Sequence, residues 1–163
     1  MKKLLILFLV PFMGLNFVYS QGNFRFGVNG GIPVGDVEDF SNFHLGTDVA
    51  YMFNVVEVLD VGPMLGYSHY FSEDLTIGSE KIETDDVQFL PIAASGRFGL
   101  SSLYLGADLG YAIGINDGND GGFYYRPLIG YQIGKLGIAA SYEGVSMDGG
   151  SFNSINLGIE FGL

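Results

Sequence analysis

Residues 103–115 read LYLGADLGYAIGI, thirteen positions of strict alternation. Leu103, Leu105, Ala107, Leu109, Tyr111, Ile113 and Ile115 interleave with Tyr104, Gly106, Asp108, Gly110, Ala112 and Gly114. Period two means an extended strand with one apolar face and one small or polar face. A half-buried strand of a soluble protein alternates as well, so the second face decides. Glycine weakens a solvent-facing strand for no return, whereas the inside of a narrow closed barrel has room for little else. The leucines, isoleucines and tyrosine then point outward, and an apolar belt of this length is the pattern of a transmembrane β-strand.

The same period recurs along the chain. It predicts strands over Phe24–Pro33, Asn42–Asn54, Val56–Phe71, Val87–Leu100, Ser102–Ile115, Gly122–Gly134, Leu136–Met147 and Phe152–Leu163. Most reach the nine to eleven residues, roughly, that cross a bilayer at a tilt. No segment sustains a 3.6-residue period. The expected fold is all-β: an eight-stranded antiparallel up-and-down transmembrane β-barrel over 21–163. The connections support it, because longer segments (Gly35–Ser41, Ser72–Asp86, Asn116–Gly121) alternate with tight ones (Asn54–Val56, Leu100–Ser102, Gly134–Lys135), ending with Asp148–Ser151. Transmembrane barrels sort their loops in this way, with short turns on the periplasmic side and longer loops outside.

Ahead of the first strand stands a different segment. Met1 to Ser20 has a basic start at Lys2 and Lys3 and an apolar run from Leu4 to Val18 broken by Pro11. That is the form of a secretory signal peptide, with Gln21 as the expected mature N-terminus. After residue 20 no stretch is long and apolar enough for a membrane helix. The chain has no cysteine, which removes disulfides and thiolate metal sites.

Without Lys2 and Lys3, five basic residues face 18 acidic ones. Such a balance repels phosphate backbones, so nucleic acid is not an expected partner. Placement matters more than the total. Arg25, Arg97 and Arg126 share the inner phase of their strands with Asp48, Asp60, Asp108, Glu143 and Glu160. The outer faces carry Phe24, Phe26, Leu45, Val49, Leu65, Ile92, Ile129, Ile138, Leu157 and Phe161, without a charge in their central positions. A charge there costs about 2–4 kcal/mol at the bilayer midplane. Eight strands enclose a space that side chains can fill. Arginine–carboxylate pairs would therefore close the lumen as a structural network, with a narrow pore for small solutes or ions as the alternative.

On these residues the chain resembles the porin-like outer-membrane β-barrel family of small eight-stranded barrels. The carriers are Phe24-Arg25-Phe26-Gly27-Val28-Asn29-Gly30-Gly31, Gln88-Phe89-Leu90-Pro91-Ile92, the glycine–aromatic alternation of Leu103–Gly114, and Ile155-Asn156-Leu157-Gly158-Ile159-Glu160-Phe161-Gly162-Leu163. Members usually end on an aromatic residue read by the assembly machinery, whereas this chain ends on Leu163 with Phe161 two before it. The resemblance implies the outer membrane of a diderm bacterium after signal-peptide cleavage. It also implies outer-membrane lipids as surroundings, the barrel-assembly machinery as a partner during insertion, a monomer, and no cofactor.

Candidate chemistry is sparse. His44 and His69 are the only histidines. His44 lies on an inward phase with Ser41 and Asp48 as sequence neighbours, and His69 on an outward phase beside Ser68. A Ser-His-acid lipid hydrolase needs these groups in a geometry that spacing does not supply. The expectation is a non-enzymatic protein, with rim histidines in polar networks. Asp117-Gly118-Asn119-Asp120-Gly121-Gly122 lacks the distal Glu and the spacing of a calcium loop, and reads as turn chemistry. The remaining acids gather in the loops: Asp36, Glu38 and Asp39; Glu73, Asp74, Glu80, Glu83, Asp85 and Asp86; Asp117 and Asp120; and Asp148. Glu80, Glu83, Asp85 and Asp86 form a candidate rim for divalent cations or a basic partner, since clustered like charge focuses a field. The alternative fold is a secreted lipocalin-like barrel with its faces reversed, holding an apolar ligand inside. That reading wastes many glycines on exposed faces.

Overall fold

Antiparallel hairpins account for nearly every backbone pairing in the computed structural model, which describes residues 22–37, 41–72, 75–77, 80–82, 85–116 and 118–163. The expected leader, 1–20, lies outside them. The strands are β1 (Asn23–Val34), β2 (Ser41–Val56), β3 (Leu59–Ser72), β4 (Leu75–Ile77), β5 (Glu80–Ile82), β6 (Val87–Leu100), β7 (Leu103–Gly114), β8 (Gly122–Ile133), β9 (Leu136–Met147) and β10 (Gly150–Gly162). Eight of them close a barrel in the order β1-β10-β9-β8-β7-β6-β3-β2. Closure comes from β1 pairing with β10 antiparallel, Arg25 opposite Gly162 through Val34 opposite Asn153. A closed barrel leaves no edge strand, and apart from the seam every neighbour in the ring follows directly in sequence, save β3 and β6, between which β4 and β5 intervene. The fold class is the up-and-down barrel.

The structure departs from the expected strands in three places. The first tight reversal falls at Glu57 and Val58 rather than at Asn54–Val56, because β2 runs on through a register shift between Asn54 and Val56. The acidic connection from 72 to 86 contains a two-stranded hairpin, β4 against β5, outside the barrel sheet. A short 3-10 turn, Gly35–Val37, follows β1. Three-residue pieces are too short for a periodicity argument.

Loop lengths sort as expected. Tight reversals at 57–58, 101–102 and 134–135 define one end, while the segments after β1, β3 and β7 gather at the other. The tight turn at 148–149 joins them there. Ser101 and Gly134 hold φ of 63° and 62°, the left-handed conformation that two-residue hairpins need.

The strands twist their small faces inward. In β7 the burial alternates, with Tyr104, Asp108 and Ala112 enclosed and Leu103, Leu105, Ala107, Leu109, Tyr111 and Ile113 exposed. Apolar side chains therefore face out all round the wall, including Phe26, Leu65, Ile92, Ile129 and Leu157. This orientation contradicts the lipocalin-like alternative, which requires them inside. The inner glycines are not empty positions. A Cβ on Gly106 would stand 2.7 Å from Arg97 Cδ, and one on Gly130 would strike the Tyr104 ring. Each leaves the volume that a long inner side chain from the neighbouring strand occupies.

Candidate functional site

The lumen fills in three layers from the tight-turn end upward. At the lowest, Arg25 of β1 donates to Glu160 Oε2 at 3.0 Å, and the Tyr104 hydroxyl donates to the same oxygen at 2.7 Å. The Arg25 guanidinium sits 5.6 Å above the Tyr104 ring. The middle layer crosses the barrel. Arg97 Nη1 donates to Asp108 Oδ1 at 2.7 Å, and its Nη2 to Glu160 Oε1 at 2.8 Å. Arg126 Nε donates to Asp108 Oδ2 at 2.7 Å, and its Nη2 to Asp48. Asp108 is thus clamped between two guanidiniums, and Glu160 joins the two layers.

Three guanidiniums face three carboxylates, and all but Arg25 are buried. Taking an ion out of water costs several kcal/mol unless a partner and hydrogen bonds compensate, and here every buried charge has both. Two of the expected inner acids form no ion pair with an arginine among the described residues: Glu143, which meets His44 and Ser68 instead, and Asp60. It stands across the β3–β6 pairing from Arg97, but Arg97 reaches inward to Asp108 and Glu160. Asp60 lies half-buried at the tight-turn mouth, where it accepts from Asn54 Nδ2 at 2.9 Å and water can solvate it.

The third layer was not legible from spacing. Glu143 accepts from the Ser68 hydroxyl and, at 3.3 Å, from that of Tyr124. His44 Nδ1 bonds Asn156 Oδ1 at 2.8 Å, while its Nε2 lies 3.3 Å from Glu143 Oε1. That last contact has ion-pair distance without hydrogen-bond alignment, so its contribution is electrostatic. The rim position expected for His44 is replaced by complete burial, because it enters the lumen beside Tyr70 rather than reaching the mouth. The sequence neighbour Asp48 goes to Arg126 instead. Carboxylate stands between hydroxyl and imidazole, so the Ser68 proton is directed at Glu143 and His44 cannot remove it. Only inward phase signalled this layer: Ser68, Glu143, Ser154 and Asn156 all occupy inner positions near the long-loop end.

An aromatic lid caps these layers. Tyr70, Phe89 and Phe152 meet edge to face, with ring centroids 5.4–6.1 Å apart. Offset and edge-to-face pairs are the favourable arrangement of such rings. Above the lid a cavity of about 840 Å³ opens between the loops. The small spaces within the layers are of a different order, about 10 Å³ beside Asp48 and Glu160.

On the outer wall His69 stacks on Phe71 with centroids 4.1 Å apart. Its Nδ1 meets the Tyr67 hydroxyl at 3.0 Å, and its Nε2 meets Asp86 Oδ2 at 2.9 Å. Asp86 also accepts from the Ser72 backbone N–H at 2.8 Å. These two bonds, that of Ser72 foremost, hold the Asp86 carboxyl below its usual range. Of the other expected rim residues, Asp85 is exposed and Glu80 begins β5, while Glu83 lies outside the described residues. Among the described residues no three His, Cys, Asp or Glu side chains stand close enough to hold a metal ion.

Fold and lining together define a small closed barrel of the kind found in transmembrane proteins: apolar outside, ion-paired inside. Neither protein-family models nor curated proteins give a match to the sequence. Solved structures do. The chain is similar to the outer membrane protein Ail of Yersinia pestis in a phospholipid nanodisc, at 14% identity and TM-score 0.62, over 88% of this chain and 100% of that one. It is similar to the N-terminal β-barrel domain of Pseudomonas aeruginosa OprF, at 15% identity and TM-score 0.52, over 88% and 100%. A de novo designed transmembrane β-barrel matches at 13% identity and TM-score 0.53, over 88% and 99%. At such identities the likeness carries the fold.

Proposed function

We propose that this protein is a small integral outer-membrane β-barrel, related to the porin-like barrels, that lacks enzymatic activity and displays acidic loops from a closed wall. The observation that carries this reading is the inversion of the faces: charge and glycine inside, leucine, isoleucine and phenylalanine outside. Water would penalise that exterior, and the hydrocarbon of a bilayer suits it. Two outward aromatic groups frame the belt. Phe24, Tyr51 and Phe53 pack together at the tight-turn end. Phe43 and Phe71, with Phe123, Tyr125 and Tyr142, do so at the long-loop end. Aromatic girdles at both interfaces are a property of such barrels.

In this reading residues 1–20 direct export and are removed, the tight turns face the periplasm, and the long loops face outward. The ion-paired layers plug the lumen, since eight strands leave space only for side chains. The role is structural or one of surface interaction through the loops. Expression of the full chain in a diderm host tests it. The mature protein should fractionate with the outer membrane, require detergent, and migrate differently on gels before and after boiling. Reconstituted in planar bilayers it should show no steady conductance. A freely water-soluble monomer overturns the membrane assignment, and stable channels of porin size overturn the plug.

A further inference from the structure

Three strand prolines interrupt the wall, each against one neighbour alone. Between β2 and β3 the pairing passes from Ala50–Met64 to Phe53–Val61. Between β3 and β6 it passes from Leu65–Ile92 to Ser68–Phe89, and between β8 and β9 from Tyr125–Gly144 to Leu128–Ser141. Register is the same on both sides of each gap, so none is a bulge. In that register Pro63 stands opposite Tyr51, Pro91 opposite Gly66, and Pro127 opposite Tyr142. On its other side each proline is paired, with Ala94, Ala112 and Ala107 respectively. Proline has no N–H to give to a ladder. The carbonyl opposite each therefore loses its donor, and a bilayer offers no water in its place.

Two of the gaps lie across the barrel from each other and meet one carboxylate. Strands β3 and β9 stand four places apart in the ring of eight. Glu143 lies on β9 within the Pro127 gap, and Ser68 on β3 borders the Pro91 gap. The buried Ser68 hydroxyl donates to Glu143 across the lumen. The Tyr124 hydroxyl donates to its other oxygen at 3.3 Å, joining β8 to β9 beside the place where the backbone does not. Gly66, Pro91, Arg126 and Glu143 line one small interior space, so both gaps face the same point of the lumen. Hydrogen bonds to a carboxylate are roughly twice as strong as neutral ones, and here they stand in for ladder bonds that proline removes. The Pro63 gap is backed differently, by the buried apolar side chain of Met52.

We propose that Glu143 is a clasp on the wall. Its bonds hold two gaps shut, one between β3 and β6 and one between β8 and β9. Releasing the carboxylate lets the wall part at both while the rest of the barrel stays closed. The inference goes beyond the closed wall proposed above, and it rests on the strand register rather than on the bilayer.

Amide exchange followed by NMR on the folded mature protein in lipid nanodiscs tests it. The amides of Gly66 and Tyr142 face the two prolines, and those of Met64 and Ala140 sit in intact pairing on the same strands. In the wild type Gly66 and Tyr142 should exchange faster than Met64 and Ala140, because local opening needs fewer broken bonds there. Glu143→Gln should speed both by about tenfold or more, the loss of one hydrogen bond to a charged group. Ser68→Ala, a milder change, should act in the same direction at both. The Tyr51 amide, at the Pro63 gap, should stay within about twofold in either variant, since Met52 and not Glu143 backs it. Pro127→Ala restores a donor to the Tyr142 carbonyl and should slow exchange at Tyr142, leaving Gly66 as it was. Equal protection of Gly66 and Met64, and of Tyr142 and Ala140, in the wild type overturns the gaps. A response at Tyr142 without one at Gly66 overturns the clasp. So does a uniform rise that includes Tyr51 and the amides of β7, which would make Glu143 a contributor to global stability alone.

Discussion

The lumen and the cavity above it are built from the same acids and treat them in opposite ways. Below the lid, Asp48, Asp108, Glu143 and Glu160 are enclosed; an arginine answers each but Glu143, which meets the His44 imidazole. Above it, Asp85, Asp120 and Asp148 stand in solvent, and none of the described residues of the wall is an answering cation. The difference follows from desolvation. A buried charge must be paired within the fold, whereas an exposed one is already solvated and stays available to a ligand. The aromatic lid marks where one regime gives way to the other.

Removing the most heavily engaged acid should break the comparison most visibly. Asp108→Asn leaves Arg97 and Arg126 buried with half their partners, and loss of one member of a buried pair costs about 3–5 kcal/mol. The urea midpoint of the folded band in lipid vesicles should fall accordingly. Asp60→Asn, at the solvated mouth, should cost less than about 1 kcal/mol. Equal losses would mean that the arginine layer is no tighter than a surface contact.

The next largest effect concerns the wall that encloses the network. Leu109→Arg places a charge on the exposed face of β7, where about 2–4 kcal/mol is lost at mid-membrane. Ile115→Arg, just past the end of that strand, should cost about 0–1 kcal/mol at the interface. Measured in the same vesicles, a reversed order would displace the proposed membrane span along the barrel.

Packing inside the lumen comes third. Gly106→Val intrudes on Arg97 Cδ, and overpacking of this kind costs about 1–3 kcal/mol. Gly150→Val meets open space at the loop end and should fall within about 0.5 kcal/mol of wild type. Equal stability of the two would show that Arg97 can shift without losing Asp108.

How much of this was legible in the chain depends on the kind of order involved. Strand phase is a local property, so Leu103–Gly114 and the inward set of arginines could be read from period two alone. Register is partly legible too, since tight turns fix it within hairpins. Which acid meets which arginine is not local. Asp60 shares the phase of the network and yet stays at the mouth, because the length and direction of Arg97 decide the pairing. His44 likewise depends on β9 and β10, about 100 residues away. The glycines at 106 and 130 were readable as small, but their purpose, room for Arg97 and Tyr104, appears only when the neighbouring strands are in register. The β4–β5 hairpin left no periodic trace at all.

The smallest effect lies on the boundary between the two regimes, at Asp86. Its carboxylate clips the start of β6 to Ser72 at the end of β3 and to His69 on the outer wall, closing the base of the acidic connection. Those bonds favour the charged form, so its carboxyl titrates below the usual aspartate range. A depressed folded value contributes stability that is fully present above the unfolded one and is lost as pH falls through the folded one. The clip should therefore hold at neutral pH and through mildly acidic conditions. It should open as the pH drops below the ordinary aspartate range. Hydrogen exchange of the 72–86 segment reads this directly: protection of the Ser72 amide should fall with acid while the amides of β7 and β8 stay protected. Asp86→Asn should remove most of that pH dependence and raise exchange at neutral pH. If the Ser72 amide exchanges at one rate across the acidic range, the Asp86 contacts contribute nothing, and the connection is held by Asn116 and the β4–β5 pairing instead.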